Sequence, residues 1–123
     1  MIRLALILVA LASPVFAQTE GPVGTEASGA LIRGLDKVTG QTTDFEMTKG
    51  DSARFGRLTF VLSECRYPTE DPASDGFAFI TVLDDSASTP IFQGWMIASS
   101  PALNALDHQR YDVWLIRCNI PEG

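Results

Sequence analysis

His108 is the single histidine of the chain; it follows Asp107 and comes shortly after Ser99 and Ser100. A hydroxyl that attacks, an imidazole that takes its proton and a carboxylate that orients the imidazole are the parts of a nucleophilic hydrolase. The pattern here carries little of that chemistry. Neither serine stands in the strained strand-to-helix turn that exposes such a nucleophile, and neighbouring Asp and His side chains point apart. Ser100 before Pro101 reads instead as a helix cap, with His108 at the end of the segment where a helix favours positive charge. A hydrolase built on Ser100 and His108 is the least favoured reading, and no catalytic residue is assigned.

The remaining chemistry-bearing residues fall into three sets. Glu70, Asp71 and Asp75, and separately Asp84 with Asp85, supply oxygens, yet neither set has the alternating ligands and central glycine of a calcium loop. No metal and no cofactor is assigned. Cys65 and Cys118 are too few for a metal cage and too far apart for a redox motif, and in an exported chain such a pair reads as a disulfide. Trp95, Tyr111 and Trp114 are the types that stack on sugar rings or anchor a protein partner. Trp95 and Trp114, however, lie in strongly apolar stretches, where burial preferences place them in a core.

The elements that must position these residues are mostly strands. Leu31 to Thr48 reads as a hairpin around Asp36-Lys37-Val38-Thr39-Gly40, with Thr43, Phe45 and Met47 at two-residue spacing. A turn at Lys49–Ser52 leads to Leu58-Thr59-Phe60-Val61-Leu62, with Gly56 marking a bulge or tight reversal. Tyr67 to Gly76 is predicted to be an exposed loop. Phe77 to Leu83 is a continuous apolar run, predicted to be a central strand covered on both faces. Ile91 to Ala98 and Tyr111 to Cys118 are further strands, the second pinned by its cysteine near the end of the strand that carries Cys65. Between them a short helix is expected, with Leu103 and Leu106 on one face covering an open end of the sheet. The fold class is mainly β: a small antiparallel sandwich or partly open barrel of about six strands with one short helix.

Arg3, the apolar run from Leu4 to Ala12 and the small residues ending at Ala17 form a signal peptide over residues 1–17. The run is short of the ~20 residues of a spanning helix, so no stable membrane insertion is expected after cleavage. Residues 18–29, rich in Gly, Thr, Glu and Ser, read as a disordered tether, residues 30–119 as one β domain and residues 120–123 as a tail. The full chain of 123 residues has nine basic and fifteen acidic side chains, a net charge of −6. Losing the leader removes one arginine and no acid. That balance argues against nucleic acid or an anionic membrane as partner.

Four words, Gly34-Leu35-Asp36-Lys37-Val38-Thr39-Gly40, Phe92-Gln93-Gly94-Trp95-Met96, Ala98-Ser99-Ser100-Pro101-Ala102-Leu103-Asn104-Ala105-Leu106 and Tyr111-Asp112-Val113-Trp114, resemble a family of small exported bacterial proteins that is a domain of unknown function. The resemblance covers about Ala30 to Cys118 and implies a periplasmic address in a Gram-negative cell. It implies no catalytic or binding residue, but it directs attention to Ser99–His108, which interrupts the sheet, and rigidly held loops are where binding concentrates. The candidate binding set is therefore Trp95, Tyr111, Trp114, Asn104, Asp107 and His108. The leading expectation is a non-catalytic module that binds another protein of the cell envelope. A carbohydrate or small-ligand binder using the aromatic set is the alternative.

Overall fold

The computed structural model describes residues 22–121. The leader read at residues 1–17 and the first residues of the tether lie outside them, as do the last two of the tail. Eight strands follow in order: β1 Thr25–Glu26, β2 Gly29–Asp36, β3 Thr42–Thr48, β4 Ser52–Phe55, β5 Leu58–Tyr67, β6 Phe77–Asp84, β7 Phe92–Ile97 and β8 Tyr111–Cys118. All pairings are antiparallel. Sheet 1 runs β5, β6, β7, with β1 and β4 both pairing with β5; sheet 2 runs β3, β2, β8. The two sheets pack face to face as a sandwich, β2 over β5 and β8 over β6. The barrel alternative falls with this arrangement, since the sheets do not close on one another.

Two-residue alternation builds the layers. In β5 the side chains of Leu58, Phe60 and Leu62 point inward and are fully buried, as do Ile80 and Val82 of β6 and Val113 and Leu115 of β8. Phe45 packs edge-on against Phe60 at 5.0 Å and Phe55 at 5.8 Å, and Phe55 meets Tyr111 at 5.5 Å, a chain of rings that fills one end of the core. Gly34 faces this chain: a Cβ there would lie 3.0 Å from the Phe55 ring.

The predicted hairpin is present as β2 and β3. Its turn is tied by the Asp36 carboxylate, which accepts from the amides of Val38 and Thr39, while Gly40 takes the positive φ of 76°. Gly56 is a reversal and not a bulge. With φ 59° it occupies the first central position of a two-residue turn closing Phe55 against Leu58, where glycine is required.

Four expectations need correction. Thr25–Glu26 of the expected tether is a strand paired with Tyr67 and Arg66, because β5 is longer than β4 and leaves room beyond it on the same edge. β5 itself extends to Tyr67, whose buried ring makes it the end of a strand and not the start of an exposed loop. The expected helix is a single 3₁₀ turn, Pro101–Leu103, without a side-chain cap from Ser100. Leu103 is accordingly 74% exposed and only Leu106 turns into the core. Finally, β6 is central but covered on its inner face alone: Phe77, Phe79 and Thr81 are half-buried and Leu83 is exposed.

Cys65 of β5 and Cys118 of β8 form the disulfide between the two sheets, with Cα atoms 5.7 Å apart and 53 positions apart in sequence. The chain entropy removed from the unfolded state by closing a loop of this size corresponds to about 4 kcal/mol. Reduction, or Cys118→Ser, is expected to lower the denaturant midpoint by an amount equivalent to roughly 2–4 kcal/mol. Urea melts with and without reductant check this.

Candidate functional site

β7 is the edge of sheet 1 and β8 the edge of sheet 2, so residues 98–110, which join them, must cross the open side of the sandwich. With only one 3₁₀ turn to organise it, the segment is held by side-chain pegs. At its start the amide of Ala98 donates to the carbonyl of Gly76 at 2.9 Å, and Ser99 donates to Asp75 through both its amide (3.0 Å) and its hydroxyl (2.7 Å). In the middle Asn104 Nδ2 donates to the carbonyl of Trp95 at 2.8 Å. Gly94 makes that approach possible, since a Cβ there would stand 2.8 Å from the Asn104 nitrogen. Leu106 fills the gap between the sheets beneath.

His108 holds the far end. Its Nδ1 accepts from the amides of Arg110 at 3.0 Å and Tyr111 at 3.2 Å. A backbone amide is always a donor, so Nδ1 is unprotonated, and the ring proton sits on Nε2, which donates to Asp84 Oδ2 at 2.9 Å. Asp84 is buried at the end of β6; its Oδ1 accepts from the amide of Ser86 at 2.9 Å and the hydroxyl at 2.8 Å. These bonds, the Ser86 amide first and then His108, hold the Asp84 carboxyl well below the usual carboxylate range. The Lys37 ammonium donates to the carbonyl of His108, and Arg110 pairs with Asp36.

A serine, a histidine and an aspartate do meet here, but in the wrong order for nucleophilic chemistry. The hydroxyl of Ser86 bonds the carboxylate, and the histidine nitrogen that would have to receive a nucleophile's proton is turned to the backbone. Ser99 is spent on Asp75, whose burial would raise its pKa but whose bonds from Ser99 and Gly76 lower it on balance. Sequence reasoning missed Asp84, Ser86 and Asp75 as the partners of this segment. The acids were visible, but only the sheet register brings β6 alongside the loop.

The aromatic set divides. Tyr111 is 4% exposed, a core residue between Phe55 and the His108 ring. Trp95 and Trp114 are half-buried on the outer faces of opposite sheets, and neither lies in the core as burial preferences suggested. Trp95 meets Phe79 edge-on at 5.4 Å; its register partners on that face extend the apolar surface to Phe77 and Ile97. Trp114 borders a hollow of about 220 Å³ lined also by Asp112, Pro101, Ala102 and Ala105. Asp107 is exposed, with no bond of its side chain among the described residues. No group of three or more His, Cys, Asp or Glu side chains among the described residues is placed to hold a metal ion.

The four words of the sequence resemblance thus converge on the crossing segment: Gly94 admits Asn104, Asp36 and Lys37 bind its far end, and Tyr111 continues from it into β8. A family model described as "Uncharacterized protein conserved in bacteria (DUF2155)" matches residues 30–118. An uncharacterized protein of Rickettsia prowazekii (strain Madrid E) is 27% identical over 94 residues, which are 74% of this chain and 60% of the relative's length. No solved structure matches.

Because folding depresses Asp84, its stabilising contribution is complete above the ordinary aspartate value of 3.8 and is lost as pH falls from there toward the folded-state value. Asp84→Asn is therefore expected to lower the melting temperature at neutral pH and to shrink the drop between neutral pH and about pH 3. Thermal melts at the two pH values check both.

Proposed function

The chain belongs to this bacterial family, and on that premise we propose that it is an exported, non-catalytic module that docks onto another protein of the cell envelope through the outer face of sheet 1. One observation carries the reading. Phe77, Phe79, Trp95 and Ile97, all half-buried, stand side by side on the outer face of sheet 1, over which the described residues place no second sheet. Two adjacent strands present large apolar side chains there, where ordinary antiparallel alternation puts polar ones. Contiguous apolar surface of this kind, rich in Phe and Trp and flanked by the Arg66–Glu64 ion pair, has the composition of a protein contact with a polar rim.

Three further points support the reading. The leader read at residues 1–17 and a disulfide between the sheets fit an oxidising compartment. No helix of the described residues is long and apolar enough to cross a membrane. Of the groups that suggested catalysis, His108 and Ser99 are committed to holding the chain in place, His108 through Asp84 and Ser99 through Asp75. A shared aromatic platform for a sugar has no support in the geometry, since Trp95 and Trp114 lie on opposite sheets and Tyr111 is buried.

A photoreactive side chain at Gln93, exposed on the same face, is expected to give a discrete protein adduct in the native bacterium. Phe79→Asp should reduce that adduct roughly tenfold, the loss of a contact hot spot. No adduct from position 93, or one that survives Phe79→Asp in a folded protein, contradicts the proposal.

A further inference from the structure

We infer that the hollow beside Trp114 is a second, separate binding site, built to take an arginine side chain of a protein partner. Six of the basic side chains in the described residues are already tied: Arg33 to Asp44, Lys49 to Glu26, Arg54 to Asp85, Arg66 to Glu64, Arg110 to Asp36 and Lys37 to the His108 carbonyl. Asp112 makes no hydrogen bond or ion pair among the described residues, though it lines the hollow together with the Trp114 indole. The opposite wall is Pro101, Ala102 and Ala105, whose side chains carry no polar atom. The site therefore offers one negative charge, one aromatic ring and an apolar wall.

That combination selects its ligand class. A sugar needs several hydrogen-bonding side chains around the ring it stacks on, and here a single carboxylate is supplied. An arginine uses each part: its methylene stem lies along Pro101, Ala102 and Ala105, its guanidinium plane stacks on the indole, and its N–H groups donate to Asp112. Arg33 neighbours Trp114 across the β2–β8 register, but its two bonds to Asp44, at 2.7 and 3.1 Å, neutralise the like charge. The net charge of −6 favours the approach of a basic partner. The crossing segment forms the wall and is pegged by Asn104 and His108, so the hollow is held open without a ligand.

The chain has two tryptophans, so Trp95→Phe leaves Trp114 as the only reporter beside the site. Titration of that variant with the blocked tripeptide acetyl-Gly-Arg-Gly-amide is expected to give a saturable change in Trp114 fluorescence. The citrulline peptide, equal in shape but uncharged, should bind at least tenfold more weakly, and Asp112→Asn should abolish the preference between them. An equal response to both peptides, a preference that survives Asp112→Asn, a response to chitobiose alone, or no response at all overturns the inference. The comparison of peptides on one folded protein decides the matter even where Asp112→Asn does not fold. None of these outcomes bears on the Phe79 face, which lies on the other sheet.

Discussion

Strand β8 has hydrogen-bonded strand neighbours on one side only, and the whole sandwich depends on its being pinned to the opposite sheet at both ends. At its C-terminal end the pin is covalent, Cys118 to Cys65 of β5. Just before its N-terminal end the pin is polar, His108 to Asp84 of β6, with Tyr111 buried next to it. Between the pins Val113 and Leu115 are pressed against the inner face of sheet 1. A buried carboxylate without the histidine would be left with an unsatisfied oxygen, which costs more than the bond itself contributes, so the polar pin is specific as well as stabilising.

This division of labour explains why the chemistry-bearing residues do no chemistry in the proposed account. A segment that crosses the open side of a sandwich without a helix cannot satisfy its backbone internally, so side chains must do so. Ser99, Asn104 and His108 serve that purpose, matched by Asp75 in the loop leading into β6, the Trp95 carbonyl of β7 and Asp84 of β6. What remains for recognition is the outer surface on either side of the segment, the apolar face around Phe79 and the hollow beside Trp114.

The parts of the fold legible in the sequence were those set by local pattern. The β2–β3 hairpin, the order of the long strands and the cysteine pair follow from two-residue alternation, from Gly40 at a turn and from an even cysteine count. The rest depended on contacts distant in sequence. Pro101 after Ser100 is a genuine helix-start signal, yet the five residues of Ala, Leu and Asn before Asp107-His108 are too few to repay helix nucleation, and one 3₁₀ turn is all that forms. The apolar run of β6 suggested cover on both faces because composition does not say whether a second layer exists. The site was half legible: Asn104 and His108 were singled out, while Asp84, lying in β6, had no sequence signal that would join it to His108. Tyr111 and the two tryptophans were the same kind of residue on paper and were separated only by strand register.

His108 is a fixed structural peg whose Nδ1 faces two backbone amides, and on that the crossing segment depends. Nitrogen-15 spectra of histidine-labelled protein at neutral pH address this directly, since the chain has one histidine. The structure predicts a single neutral tautomer, protonated at Nε2, with Nδ1 shifted as a hydrogen-bond acceptor. An Nδ1-protonated ring, or two tautomers in rapid exchange, would contradict it and leave His108 available as a base.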